Sequence, residues 1–168
     1  MKQLHLTETN DGDPDFIVWT GDNVAHDPHK MAEESVEATL AITDYIKEHY
    51  PETIVFPIHG NHEFAPMNLQ DLTFEDRETR VAIDKISDVW RDWLTEESYE
   101  MFRNKSFYDM RASEHPLANK DFGDKVKDVR VLALNLQSCY HYNFFLFSEM
   151  GGELGELEWL EETLRQME

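Results

Sequence analysis

The sequence predicts an α/β fold, a layered sheet flanked by helices, and three observations carry that prediction. Residues 14–20 and 53–58 are short apolar runs, and each leads into a glycine, Gly21 and Gly60. Between them, residues 31–49 repeat apolar side chains at helical spacing. The chain has 168 residues, the length of one domain with a sizeable core, and no linker, repeat or low-complexity stretch divides it.

The first run, Pro14-Asp15-Phe16-Ile17-Val18-Trp19-Thr20, reads as a strand covered on both faces. Met31, Val36, Leu40, Thr43 and Ile46 then recur every three to five positions opposite an acidic face, which predicts an amphipathic helix stopped by Pro51. Thr53-Ile54-Val55-Phe56-Pro57-Ile58 is a second buried strand. Strand, helix and strand in about 45 residues make a βαβ unit, with parallel strands and a right-handed crossover. Residues 75–94 hold Ala82, Ile86, Val89, Trp90, Trp93 and Leu94 at helical spacing, with both tryptophans expected in the core. Phe107-Tyr108-Asp109-Met110 reads as a short strand, 119–127 as a polar turn and 129–135 as a third strand. In the tail, Leu154, Leu157, Leu160 (or Trp159), Leu164 and Met167 share a stripe. Glu153, Glu156, Glu158, Glu161 and Glu162 lie mostly elsewhere, so an acidic surface helix with solvated glutamates is expected.

Composition narrows the function. Thirty-five acidic residues against 15 basic give a net charge of −20. That excludes sequence-independent nucleic-acid binding and docking to an anionic bilayer, both of which need clustered Lys and Arg. No apolar stretch is long enough to suggest a membrane span. The one cysteine, Cys139, allows neither an internal disulfide nor a Cys-rich zinc site. The amino terminus has no apolar core of a signal peptide.

The chemistry sits where the two strands end. The first continues as Gly21-Asp22-Asn23-Val24-Ala25-His26-Asp27, the second as His59-Gly60-Asn61-His62-Glu63. Loops at the carboxyl ends of parallel strands converge on one crevice, so Asp22 and Asn61 are expected to meet there. A glycine before each lets the backbone turn sharply and approach closely. A carboxylate can bridge two divalent cations, an amide oxygen adds a neutral ligand, and His26 and His62 can hold or transfer a proton.

These motifs resemble the middle two signatures of the calcineurin-like metallophosphoesterases. The longer strings, from Trp19 to Asp27 and from Gly60 to Asn68, are similar to the acid sphingomyelinases within that superfamily. The similarity continues through Trp90, Trp93, Ser106-Phe107-Tyr108, Leu134-Asn135-Leu136 with Cys139, Asn143-Phe144 and Gly155-Glu156-Leu157-Glu158-Trp159-Leu160, from about residue 14 onward. The protein serine/threonine phosphatases fit less well, because their Asp-Arg-Gly after Gly-Asp is absent. The resemblance implies a partial metallophosphoesterase sheet and a two-metal site, zinc in sphingomyelinases, that hydrolyses a phosphodiester. It implies Asp22 as the bridging carboxylate and Asn61 as a ligand to one metal. It implies His62 and His26 as the pair that stabilises the transition state and protonates the leaving alkoxide. It gives Glu63 and Asn68 no role.

Other family signatures are missing. Asp-x-His does not precede Asp22, and the late Gly-His and Gly-His-x-His do not occur, so one carboxylate and one amide remain of the ligand set. The expectation is therefore an internal piece of a larger lysosomal or extracellular enzyme. The resemblance implies that the counterpart of Cys139 pairs beyond this chain, and Asn104-Lys105-Ser106 fits a glycosylation sequon. Two alternatives stay open. One is an inactive subunit whose protein partners complete the half-domain. The other is an acidic binding module of no phosphoester ancestry, which becomes preferable if Asp22 and Asn61 lie far apart, beyond about 10 Å.

Overall fold

Strand β1 (Phe16–Trp19) and strand β2 (Ile54–Pro57) pair in parallel, Phe16 opposite Ile54 and Trp19 opposite Pro57. Helix α1 (Ala32–His49) lies between them in sequence, as the βαβ pattern predicts. This computed structural model describes residues 14–25, 31–147 and 155–167. The ladder continues past the strands, where the Ile58 N–H donates to the Trp19 carbonyl at 2.7 Å. All four residues of β2 are buried. β1 differs from expectation: Phe16 and Val18 are exposed, so only the face carrying Trp19 packs inward. Period-two alternation sends alternate side chains to opposite faces, and only one face of β1 meets the core.

α1 packs on α2 (Arg77–Trp90). The buried stripe of α1 is Ala32, Val36, Thr39, Thr43 and Ile46, while Met31 caps the helix in solvent. Two threonines can be buried because their hydroxyls are satisfied. Thr43 Oγ1 donates to the Thr39 carbonyl and accepts from Trp90 Nε1 at 3.0 Å. Asp76 starts α2 by accepting from the Thr79 N–H at 2.8 Å. Trp90 and Trp93 enter the core as expected, both edge-on to Trp19 at 5.4 and 6.5 Å between centroids.

Helix α3 (Glu96–Lys105) was not legible as a helix, because only Tyr99 and Phe102 bury apolar surface on a largely polar segment. It is started by the Thr95 hydroxyl and ends at Ser106 in the left-handed region, φ 60°. Strand β3 (Tyr108–Arg111) pairs antiparallel with β4 (Arg130–Ala133), forming a second two-stranded sheet among the described residues. That sheet is tied to β2 by the Tyr108 hydroxyl on the Pro57 carbonyl and by His115 Nε2 on the Val55 carbonyl. The 119–127 stretch is not simply a turn. Asn119 accepts from the Phe122 N–H at 2.9 Å and starts the short helix α4 (Lys120–Lys125), which tolerates Gly123.

Helix α5 (Glu156–Arg165) forms where a tail helix was expected but presents a different face. Leu157, Leu164 and Met167 are exposed, whereas Glu156 and Thr163 are buried. Glu156 is therefore not a solvated residue. Its carboxylate accepts from the Asn135 N–H and the Ser138 hydroxyl, which draws the helix end against the segment after β4. Leu154 lies outside the described residues. Beneath this segment runs a buried amide network. Gln70 donates to Ser106 Oγ and accepts from Asn135 Nδ2, and Asn143 exchanges hydrogen bonds with the Gln70 main chain.

Candidate functional site

The two strand-end loops meet, and a pair of glycines makes the meeting possible. A Cβ on Gly21 would lie 2.1 Å from the Gly60 nitrogen, and one on Gly60 would lie 2.1 Å from Asp22 Oδ1. Gly21 also has φ +69°. The close approach anticipated toward an ion is thus first an approach of one loop to the other. Asp22 itself is held at φ 60°, a region that a residue with a Cβ rarely adopts.

In that position Asp22 Oδ1 accepts the main-chain N–H of Asn61 at 2.9 Å and of His62 at 3.2 Å. Residues 39 apart in the chain therefore share one hydrogen bond, and the separation that would have favoured a generic binding module is not found. The Asn61 side-chain nitrogen donates to Asn68 Oδ1 at 2.6 Å, which turns the amide so that its oxygen is the remaining polar atom. Asn68, at φ 73°, also returns its N–H to the Asn61 carbonyl.

His62 is half-buried, and its Nδ1 lies 2.7 Å from the Val24 carbonyl. A carbonyl only accepts, so Nδ1 carries the proton. His26 lies outside the described residues. His59, just before the loop, is buried between Phe64 and Phe102. Burial holds its pKa below the ordinary histidine value, against the opposing pull of the Gly60 carbonyl and the Glu63 and Asp22 carboxylates.

Glu63 is the residue that sequence reasoning left without a part. It is fully buried, and its carboxylate accepts from the main-chain N–H groups of Asp22, Asn23 and Gly60. The available signal was its place in Gly60-Asn61-His62-Glu63, which does not by itself say that the side chain folds back under both loops.

Asp22 and Asn61 line a cleft of about 330 Å³ together with His59 and Gly60. The segment after β4 also lines it, through Asn135, Leu136, Gln137 and Tyr140. Gln137 Oε1 is buried there without a hydrogen-bond partner among the described residues. His62 is not among the lining residues.

The donor set at this cleft can be tested against a metal. Among the described residues no three His, Cys, Asp or Glu side chains stand together in a way that could hold one. Asp22 and Asn61 supply hard oxygen donors suited to a divalent cation, yet they make only part of a ligand set and do not fit two ions alone. No helix among the described residues is long and apolar enough to cross a membrane.

Comparison with known proteins shows the family. The family model described as calcineurin-like phosphoesterase matches residues 2–162. The human acid sphingomyelinase-like phosphodiesterase 3b is 31% identical over 154 residues, covering 90% of this chain and 30% of that protein. The cyclic GMP-AMP phosphodiesterase SMPDL3A of Rattus norvegicus is 28% identical over 151 residues, covering 89% of this chain and 30% of that protein. Human sphingomyelin phosphodiesterase is 28% identical over 157 residues, covering 92% and 23%. The chain thus spans less than a third of the length of these relatives. With its two glycine-flanked loops joined at Asp22 and Asn61, the chain belongs to the calcineurin-like phosphoesterase family.

Proposed function

We propose that the protein acts in phosphodiester hydrolysis of the acid sphingomyelinase type, in which sphingomyelin yields ceramide and phosphocholine. The observation that carries this reading is the 2.9 Å hydrogen bond joining Asn61 to Asp22 at the carboxyl ends of two parallel strands. The relatives' names support the bond class, since sphingomyelin and cyclic GMP-AMP share a phosphodiester and little else.

In this proposal Asp22 and Asn61 are ligands to two divalent ions, zinc by resemblance, completed by ligands outside the described residues. Such ions, when bound, activate water and neutralise charge on the phosphoryl oxygens. The chain's own residues supply placement and protons. Two N–H groups fix the Asp22 carboxylate in one orientation, and Asn68 turns the Asn61 oxygen toward the same side. His62, anchored through Nδ1, presents Nε2 to protonate the leaving oxygen, with His26 as the second histidine. The proposed compartment is lysosomal or extracellular. Asn104, in the sequon, is exposed at the end of α3 and sterically open to glycosylation.

The test is hydrolysis of bis-p-nitrophenyl phosphate by the full-length form with added zinc, wild type against Asp22→Ala. Turnover that falls by about 100-fold or more in the variant supports the reading. The incomplete ligand set favours a second reading, an inactive phosphoesterase-like subunit completed by other proteins. Zinc-loaded wild type without turnover, co-purifying with stable partners, would establish that reading instead.

A further inference from the structure

Glu63 occupies a position that a core residue has no need to fill. Its carboxylate is wholly buried, and among the described residues no cation pairs with it; five donors satisfy it instead. Oε2 accepts from the Gly60 N–H at 2.8 Å and the Asp22 N–H at 3.1 Å. Oε1 accepts from the Asn23 N–H at 2.9 Å, Asn23 Nδ2 at 3.1 Å and the Thr39 hydroxyl at 3.4 Å. The three main-chain donors come from both loops, and two of them flank the close contact between Gly60 and Asp22.

We propose that Glu63 is the positioning residue of the Asp22–Asn61 pair. One carboxylate oxygen holds the main chain of Asp22 and of Gly60 together, and so sets where the Asp22 carboxylate and the Asn61 amide stand relative to each other. A charged acceptor is required because both oxygens face only donors. Any neutral replacement of the same shape turns an NH₂ against at least two N–H groups. The same bonds hold Asp22 in its left-handed conformation, which the residue would otherwise leave. Thr39 extends the clamp to α1, so the loops are registered to the helix that crosses between their strands. The inference rests on the reading of Asp22 and Asn61 as the working pair of a phosphodiesterase.

The test uses Glu63→Gln, isosteric and neutral, and Glu63→Asp, charged but one methylene shorter, in the full chain. Amide hydrogen exchange is read at Asp22, Asn23 and Gly60, with Ile83 and Ile86 inside α2 as the control for the fold. Exchange at the three loop amides should accelerate by about 10-fold or more in Glu63→Gln, with α2 unchanged. For bis-p-nitrophenyl phosphate, kcat should fall by about 100-fold with KM within about threefold, as misplacement of reacting groups implies. Glu63→Asp should fall between the two in both readouts. Unchanged loop exchange in either variant overturns the proposal, and so does loss of protection spread equally over α2, which marks an ordinary core residue. If Glu63→Gln does not fold, Glu63→Asp decides by the same criteria. Wild type without turnover sinks the phosphodiesterase reading alone, and the exchange data still judge the clamp.

Discussion

At the scale of the residue, the site depends on atoms that are absent as much as on those present. Gly60 has no Cβ where Asp22 Oδ1 lies, and Gly21 has none where the Gly60 nitrogen lies. Gly60→Ala forces a 2.1 Å contact with an oxygen that is itself held by two N–H groups, so the carboxylate must move. The expected outcome is a loss of about 1–3 kcal/mol, the range for local overpacking, read as a lower urea midpoint. Gly21, Asp22, Gly60, Asn61 and His62 are legible only in combination: Gly-Asp alone is an ordinary turn, but the two strings stand in order, each at the end of an apolar strand. Glu63 and Asn68 were not assigned, since their work is to orient other groups, and orientation exists only once two loops are brought together.

At the scale of the element, caps and satisfied hydroxyls explain what hydrophobic spacing did not. α2 has the strongest apolar pattern and was read from sequence within a few residues of its bounds. Its start is fixed by Asp76, and Asp76→Ala should lower stability by about 1 kcal/mol, measured by thermal unfolding. The Asp76 main-chain N–H, which donates to Asp71 Oδ2 at 2.7 Å, is kept in that variant, so the change tests the side-chain cap alone. α3 escaped notice because its stabilisation comes from the Thr95 cap, Tyr99, Phe102 and an ion pair of Arg103 with Asp84, rather than from a broad apolar stripe. α5 forms where the spacing predicts a helix but turns a different face inward. The leucine stripe predicted inward burial, but the buried carboxylate of Glu156 is anchored to the Asn135 N–H and sets the rotation of the helix.

At the scale of the whole molecule, buried ionisable groups set the response to pH. His115 donates Nε2–H to the Val55 carbonyl and accepts the Leu117 N–H at Nδ1, so it is held neutral, and burial lowers its pKa to about 4. Its folded value lies below its unfolded value, so its contribution is complete above about pH 6.5 and is lost as pH falls toward 4. The loss amounts to about 3 kcal/mol at most. His59, also lowered by burial, acts in the same direction. Glu156 acts oppositely, since burial raises its pKa and its protonation in acid relieves a buried charge. Urea midpoints from pH 7.5 to 4.5 should therefore decline in the wild type, and decline less steeply in His115→Gln. A protein meant for an acidic compartment would work against this slope, which makes the same titration a check on the proposed localisation.

The sequence by itself determined the family, the parallel βαβ frame and the residues at the strand ends, because those depend on local periodicity and on motifs that stand within a few positions of one another. Only the tertiary structure decided that β1 is covered on one face, that α5 turns on Glu156, and that Asp22, Asn61 and Glu63 form one hydrogen-bonded unit. Those outcomes depend on which groups 20 to 40 residues apart satisfy each other's hydrogen bonds away from water, and spacing along the chain carries no record of that pairing.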